Sequence, residues 1–119
     1  MNALSFGELL WDIIDGTPYI GGAPFNLAAH LARMGSGVSM ITAVGDDELG
    51  RRALEQASRY GVDTRFIRTR RDSPTGTVDV YLDQAGLPDY TIHENAAGDR
   101  IELEAEELER IGTRSWDVF

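Results

Sequence analysis

The stretch from Gly21 to Gly35 constrains the fold more than any other part of the chain, because it carries the signals for both ends of a helix. Pro24 suits the first helical position, where its missing N–H would have no partner in any case and its fixed φ is already helical. Gly35 suits the position after the last turn, where a left-handed conformation is favoured. The sequence therefore predicts a helix that starts directly after two consecutive glycines, Gly21 and Gly22.

The predicted helix has an apolar side and a polar side. Leu27, Ala28, Leu31 and Met34 form the apolar side, and Asn26, His30 and Arg33 form the polar side. Asn26 is therefore expected to remain accessible in the first turn. Unpaired N–H groups and the positive end of the helix dipole favour an anion or hydroxyl groups there, and the preceding glycines allow close approach. The alternative is that the two glycines form only a tight turn into the helix.

Strands are predicted on both sides of this helix. Residues 3–14 form a mostly apolar run typical of a buried parallel strand, and residues 38–44 form a second one. The order strand, helix, strand implies a right-handed crossover and a parallel pair. Asp12 interrupts the first run, where a charge is costly unless the strand has ended or the side chain faces a cleft. It is therefore either a surface carboxylate or an acceptor that faces a ligand.

A second helix is predicted after Gly45. The three consecutive acids at 46–48 suit its first turn, where a carboxylate can cap free N–H groups. We interpret them as capping residues rather than metal ligands, because no distant partner is apparent. This helix is expected to end at Gly61, and a short third strand is expected at 66–67.

Residues 76–93 form a predicted hairpin in which polar and apolar residues alternate. On structural grounds alone this is an edge hairpin that packs its apolar side, which includes Val78 and Val80, on the core. His93 is interpreted as a surface residue at a strand end, because no nucleophile is spaced to use it. Residues 101–111 are expected to form an acidic helix with Leu108 and Ile111 on its inner side.

Composition excludes several classes of protein. A formal charge of −9 argues against nucleic acid or an anionic membrane as a partner. The chain has no cysteine, so it has no disulfide and no zinc–thiolate site. All 11 cations are arginine, which excludes a lysine-containing phosphate loop. No apolar run reaches membrane-spanning length and no signal peptide is evident, so we expect a cytoplasmic protein.

The spacing of the glycines resembles the N-terminal signature of the ribokinase-like sugar kinases, also called the PfkB family. The matching positions are Gly21, Gly22, Pro24, Asn26, Ala28, Gly35 and Gly45. The run Gly-Glu-Leu-Leu-Trp-Asp, which ends at Asp12, is similar to the fructokinase-like branch. The resemblance implies the N-terminal part of a ribokinase-like three-layer α/β/α fold with a small β lid. Residues of about 15–20 and 76–93 would form the lid.

The resemblance also implies which residues bind the substrate. Asp12 would accept hydrogen bonds from sugar hydroxyls, and a carboxylate suits two vicinal hydroxyls. The glycines would let the sugar approach, and the lid valines would line the pocket. The implied substrate-binding residues are Asp12, Gly21, Gly22, Asn26, Val78 and Val80. No catalytic residue and no metal ligand is assigned to this chain, and Glu8 is given no catalytic role.

The implied reaction is transfer of the γ-phosphoryl group of ATP, with Mg²⁺, to a primary hydroxyl of a furanose sugar. Fructose is the first choice, while adenosine, ribose and 2-keto-3-deoxygluconate, substrates of relatives, remain open. The second signature of the family, Asp-Thr-x-Gly-Ala-Gly-Asp with the catalytic base, does not occur in these 119 residues. We therefore expect residues 1–119 to be the N-terminal sugar-binding portion of a longer kinase. Alone, this portion is expected to be inactive and to bind neither ATP nor Mg²⁺.

The sequence leaves two other classes of function to consider. The first is a non-catalytic sugar-binding or dimerisation module, in which the 76–93 hairpin pairs edge to edge with a second chain and forms a homodimer through the lid. The second is half of a dinucleotide-binding oxidoreductase. It is disfavoured because Gly-x-Gly-x-x-Gly does not follow the first strand.

Overall fold

The computed structural model describes residues 2–92, 96–99, 101, 109, 111, 117 and 118. In this part of the chain two sheets are accompanied by the helices α1 (Ala23–Arg33) and α2 (Glu48–Arg59) and one 3₁₀ turn (Ala97–Asp99), and Glu109 and Ile111 are also helical. The strands are β1 (Asn2–Phe6), β2 (Leu10–Ile14), β3 (Thr17–Gly21), β4 (Gly37–Gly45), β5 (Val62–Asp63), β6 (Ile67–Arg70), β7 (Gly76–Leu82), β8 (Pro88–Ile92) and β9 (Asp117–Val118).

The central sheet is parallel and has the strand order β5-β4-β1-β9. β6 also pairs with β4, along the second half of that strand. The predicted parallel pair of first and second strands is confirmed, with Ala3 opposite Val38 and Phe6 opposite Ile41. The predicted third strand at 66–67 is instead two short segments, β5 and β6, which both pair with β4.

Helices cover one face of the central sheet, and a second apolar cluster lies on the other face. The larger cluster joins α1, α2 and the sheet through residues such as Phe25, Met40 and Ala53. The smaller cluster contains Leu4, Ile41 and Phe66, with Ile101 and Ile111 packed against it. Because Met40 and Ile41 are consecutive strand residues, the two clusters lie on opposite faces. The order of layers is that of the predicted α/β/α fold. The third layer is described only through Ile101, Glu109 and Ile111; Leu108 lies outside the described residues.

Helix α1 begins and ends as predicted. Gly22 caps its start at φ 100°, and Gly35 follows its end at φ 94°. The N–H of Ser36 donates to the carbonyl of Leu31 and the N–H of Gly35 to that of Ala32, each at 3.1 Å. This pair of bonds is the Schellman arrangement, which satisfies carbonyls that the helix end leaves free.

The predicted apolar side of α1 is wrong in part. The buried residues are Phe25, Ala28 and Ala29, whereas Leu27 is 39% exposed and Met34 is 70% exposed. Positions 25, 28 and 29 follow helical spacing, so they form a stripe of their own. Small alanines let α1 approach the sheet closely, and the Phe25 ring packs edge-on against Tyr60 at 6.0 Å between centroids. The polar side was predicted correctly, since Asn26, His30 and Arg33 are all exposed.

A second, smaller sheet has the strand order β3-β2-β7-β8 and is called here the small sheet. β2 and β3 are antiparallel, β2 and β7 are parallel, and β7 and β8 are antiparallel. The small sheet contains both segments predicted for the lid, at 15–20 and 76–93, except that His93 lies outside the described residues. It also contains residues 10–14, which the sequence had assigned to the central sheet.

The prediction of one strand over residues 3–14 is wrong because Gly7 breaks it. Gly7 has φ 137°, and a Cβ atom at this position would lie 2.6 Å from Cγ of Pro24. The chain therefore leaves the central sheet after Phe6 and starts β2 in the small sheet. Asp12 consequently lies in the middle of β2 and not at the end of the first strand.

Helix α2 begins at the predicted cap. The Asp47 carboxylate accepts a hydrogen bond from the N–H of Gly50 at 2.8 Å, which satisfies one free donor of the first turn. Gly61 follows the helix at φ 89°. No helix in the described part of the chain is long and apolar enough to span a membrane.

Candidate functional site

The small sheet presents one face that carries Asp12. Residues opposite each other on paired strands point to the same side, so Tyr19 of β3 and Val78 of β7 share the side of Asp12. The pairing of β7 with β8 adds Tyr90 and Ile92 of β8 to the same side. The resulting surface, called here the Asp12 face, consists of Leu10, Asp12, Ile14, Tyr19, Val78, Val80, Tyr90 and Ile92.

Asp12 is half-buried, and among the described residues its carboxylate makes no hydrogen bond and no ion pair. The carboxylate lies against Gly21, where a Cβ atom would be 2.7 Å from Oδ2. At Gly22 the φ is 100° and a Cβ atom would lie 2.6 Å from the backbone oxygen of Glu8. Gly21 thus makes room for the carboxylate, and Gly22 lets the chain pass close to the connection between β1 and β2 as it enters α1. An ionised carboxylate with free lone pairs can accept several hydroxyl donors.

A small cavity of about 30 Å³ adjoins the Asp12 face. Its lining includes Glu8, Leu10, Gly76, Val78, Ile92, Ala96, Gly98 and Asp99. This volume holds only about one or two water molecules, so the cavity is too small for a larger ligand. Glu8 and Asp99 are the two acidic residues of this lining. Sequence reasoning gave Glu8 no role and missed Asp99, which reaches the cavity only because the 3₁₀ turn packs there.

The two predicted lid valines lie on the Asp12 face. Val78 is 9% exposed and lines the cavity, and Val80 is half-buried further along β7. Sequence reasoning left open whether this apolar side faces the core or a ligand. The register places Val78 directly beside Asp12, on the side of the sheet opposite Trp11.

Asn26 lies in a different place. Its backbone N–H donates to the carbonyl of Gly22 at 2.8 Å within the helix. Its side chain borders an open groove of about 230 Å³ between α1 and the end of α2, together with Ile20, Phe25, Ala29, His30, Arg33 and Tyr60. The structure therefore brings Asp12, Gly21, Gly22, Val78 and Val80 to one region, and it does not bring the Asn26 side chain into the cavity beside them.

A hydrogen-bond network lies at the start of β7. Asp47 Oδ1 accepts the hydroxyl of Thr75 at 2.6 Å, and Oδ2 accepts the N–H of Thr75 at 3.0 Å. The Thr75 hydroxyl in turn accepts the N–H of Gly45 at 2.8 Å. Burial opposes ionisation of Asp47, but the bonds from Thr75 and Gly50 and the charge of Arg51 outweigh it, so the pKa of Asp47 lies below its ordinary value.

The predicted capping role of Asp47 is confirmed, and the carboxylate also ties β7 to α2. Within the described part of the chain, no three His, Asp or Glu side chains lie together in a way that could hold a metal ion.

The sequence matches the pfkB family carbohydrate kinase model over residues 3–112. An uncharacterized sugar kinase from Pyrococcus horikoshii is 35% identical over 104 residues, which cover 78% of this chain and 33% of the relative. A fructokinase from Klebsiella pneumoniae is 33% identical over 96 residues, which cover 81% of this chain and 31% of the relative. This chain spans about a third of the length of these curated relatives.

Solved structures show the same fold. The crystal structure of the Pyrococcus horikoshii sugar kinase in complex with ATP has a TM-score of 0.74 at 33% identity, over 82% of this chain and 35% of that one. The apo fructokinase from Vibrio cholerae O395 has a TM-score of 0.79 at 27% identity, over 85% of this chain and 37% of that one. The arrangement of two sheets and two helices is thus shared with sugar kinases.

Proposed function

This chain belongs to the PfkB family of carbohydrate kinases, and on that premise we propose that the protein transfers the γ-phosphoryl group of ATP to a sugar hydroxyl. Residues 1–119 supply the Asp12 face as the sugar-binding surface. The observation that carries this proposal is the half-buried Asp12 carboxylate, which lies against Gly21 without a partner among the described residues. A carboxylate with free lone pairs accepts hydrogen bonds from hydroxyl groups, so a ligand that donates hydroxyls suits this position.

A neutral furanose is the proposed substrate, with fructose as the first choice. Two of the relatives described above are fructokinases, and each covers more than four-fifths of this chain. Asp12 would accept two ring hydroxyls, while Val78 and Val80 would contact the apolar C–H side of the ring. Gly22 and Asn26 remain part of the proposed site through the first turn of α1. The side chain of Asn26 would have to turn toward the sugar from its present groove.

ATP and Mg²⁺ are the proposed cofactors of the whole protein; ATP supplies the phosphoryl group and Mg²⁺ neutralises its charge. The described residues do not fit a magnesium site, since no three Asp, Glu or His side chains among them lie together in a way that could hold a metal ion. We assign both cofactors and the catalytic base to the part of the protein outside this chain. Residues 1–119 alone are therefore expected to phosphorylate no sugar, as the sequence predicts.

A non-catalytic dimerisation module is the second candidate. It is favoured by the exposed apolar side chains on the Asp12 face, where Tyr19, Tyr90 and Ile92 are 54%, 60% and 72% exposed. β8 also lies at an edge of the small sheet, so its backbone can pair with another strand. If a second copy covers this face, Ile92→Glu should convert a dimer of the full-length protein to a monomer in sedimentation velocity, whereas Asp89→Asn should not.

The kinase proposal is tested by ADP release from the full-length protein with ATP and Mg²⁺. The sugars to compare are fructose, ribose, adenosine and 2-keto-3-deoxygluconate, with residues 1–119 assayed in parallel. We expect saturable, sugar-dependent ADP release by the full-length protein, greatest with fructose, and none by residues 1–119. Failure of every sugar to stimulate ADP release would reject the kinase proposal in favour of the module.

A further inference from the structure

Helix α2 is attached to strand β2 of the small sheet through Trp11. The Trp11 side chain is 1% exposed, and its Nε1–H donates to the carbonyl of Leu49 at 3.0 Å. The guanidinium of Arg52 lies over the same ring, 5.2 Å from its centroid. Because Trp11 and Asp12 are consecutive strand residues, they point to opposite faces. The bond to α2 therefore fixes β2 from behind the Asp12 face.

The same helix is attached to strand β7 through Thr75. Thr75 directly precedes β7, and both its hydroxyl and its N–H donate to the carboxylate of Asp47, the cap of α2. The hydroxyl also accepts the N–H of Gly45 at the end of β4. One compact side chain thus links the central sheet, the start of α2 and the start of β7.

The network is closely packed. A Cβ atom at Gly45 would lie 2.5 Å from the backbone nitrogen of Thr75. A Cβ atom at Gly50 would lie 2.9 Å from the Thr75 hydroxyl and 3.1 Å from Asp47 Oδ1. Glycine at both positions leaves room for the carboxylate and hydroxyl and for little else. The strand start therefore has little freedom to shift while the network is intact.

We propose that Trp11, Asp47 and Thr75 are positioning residues that fix strands β2 and β7, and with them Asp12 and Val78, relative to helix α2 and the central sheet. This set, with the Leu49 carbonyl, is called here the α2 clamp. The inference rests on the proposed sugar site. β2 and β7 are neighbouring strands, and Asp12 is paired with Val78 in their register. Because one helix holds both strands, the polar contact from Asp12 and the apolar contact from Val78 are in place before a ligand binds. No side chain of the clamp lies on the Asp12 face itself.

The test compares sugar binding with stability in the full-length protein. Thr75→Val removes the hydroxyl at nearly constant shape, Thr75→Ser restores it, and Trp11→Phe removes the bond to Leu49. Ile67→Val is the control, because Ile67 is a buried core residue outside the clamp. Fructose dissociation constants are measured by calorimetry at a temperature where thermal melts show every variant folded. KM and kcat are measured for the same variants.

We expect Thr75→Val and Trp11→Phe to raise the dissociation constant and KM by about tenfold, with a smaller change in kcat. Thr75→Ser and Ile67→Val should stay within about twofold of the wild type. Unchanged binding by Thr75→Val would overturn the inference, and so would an equal loss in Ile67→Val, since that loss would reflect stability alone.

Hydrogen exchange separates the clamp from the sugar site itself. If the wild type binds no sugar, the proposed function fails, and the clamp is then judged by amide exchange in residues 76–80. The clamp predicts that Thr75→Val accelerates exchange in this segment and at Gly45, whose N–H loses its acceptor, but not in residues 38–44 of β4, because the opening is local. Unchanged exchange in residues 76–80 would overturn the clamp independently of any sugar.

Discussion

The carboxylate of Asp12 rests against the backbone of Gly21, so that a single methyl group added at Gly21 would lie 2.7 Å from Oδ2. These two residues lie on adjacent antiparallel strands joined by a tight turn. The position of the proposed sugar acceptor is thus set by the absence of a side chain on the neighbouring strand. Glycine at this position has a steric role, because the backbone of Gly21 has no positive φ.

Gly21→Ala should reduce sugar binding with little effect on stability. The new methyl group meets the end of a side chain, which can rotate away at low cost, but the carboxylate then leaves its place. We expect the fructose dissociation constant to rise about tenfold or more, as for the loss of a charge-assisted hydrogen bond. Calorimetry and a urea melt of the same preparation check both parts. A variant that binds as tightly as the wild type would show that the carboxylate position is not critical.

Gly22→Ala, in contrast to Gly21→Ala, should mainly lower stability. Gly22 has φ 100°, and a Cβ atom there would meet the backbone oxygen of Glu8, which cannot rotate away. Such a conformation costs a non-glycine residue about 1–3 kcal/mol, before the steric contact is counted. Urea unfolding of the full-length protein measures this cost. Equal stability of Gly22→Ala and Gly21→Ala would contradict the distinction between the two glycines.

Asp47 should make stability depend on pH at the acidic end. Its hydrogen bonds from Thr75 and Gly50 hold its pKa below the ordinary value. Its contribution is therefore fully present above the unfolded pKa of about 3.9 and is lost as pH falls through the lower folded pKa. Asp47→Asn should lower the free energy of unfolding by about 1–3 kcal/mol at pH 7. Its stability should also fall less than that of the wild type as the pH is lowered. Urea melts from pH 7 to pH 3 compare the two proteins. Parallel curves of stability against pH for the wild type and Asp47→Asn would refute this role of Asp47.

Two buried threonines should respond in opposite directions to the same substitution. Thr42 is fully buried, and its hydroxyl has no hydrogen-bond partner in the part of the chain that the structure describes. Thr42→Val removes that polar atom, so we expect about 1 kcal/mol of added stability. Thr75→Val instead breaks bonds to Asp47 and Gly45 and should destabilise. Thermal melts of the two variants provide the comparison, and destabilisation by both would mean that the Thr42 hydroxyl has a partner.

Local signals in the sequence were sufficient to predict α1, α2 and the parallel pair. The ends of α1 follow from Gly22 and Gly35, and the cap of α2 from Asp47, because each depends on a few adjacent residues. The break at Gly7 was missed. A glycine within an apolar run is compatible with a strand interior or with its end, and only the contact with Pro24 decides between them.

The orientation of α1 and part of the site depend on contacts between distant segments. Leu27 and Met34 were expected inside because they are large and apolar, but close packing through alanines turned the helix to bury Phe25. Asp12 and Gly21 were predicted for the proposed site from the family resemblance, and the structure brings these two residues together. Asp99 could not be predicted for the site, because it lies far after Asp12 in the sequence and reaches the cavity only through the packing of its 3₁₀ turn.

The most direct test of the central claim is fructose binding by the full-length protein without nucleotide, measured by calorimetry for the wild type and Asp12→Asn. Asp89→Asn is the matched control, because Asp89 lies on the opposite face of the same sheet and is exposed. If Asp12 is the sugar acceptor, Asp12→Asn raises the dissociation constant about 10–100-fold, while Asp89→Asn stays within about twofold. Equal affinity in the wild type and Asp12→Asn would contradict the assignment of the Asp12 face as the sugar site.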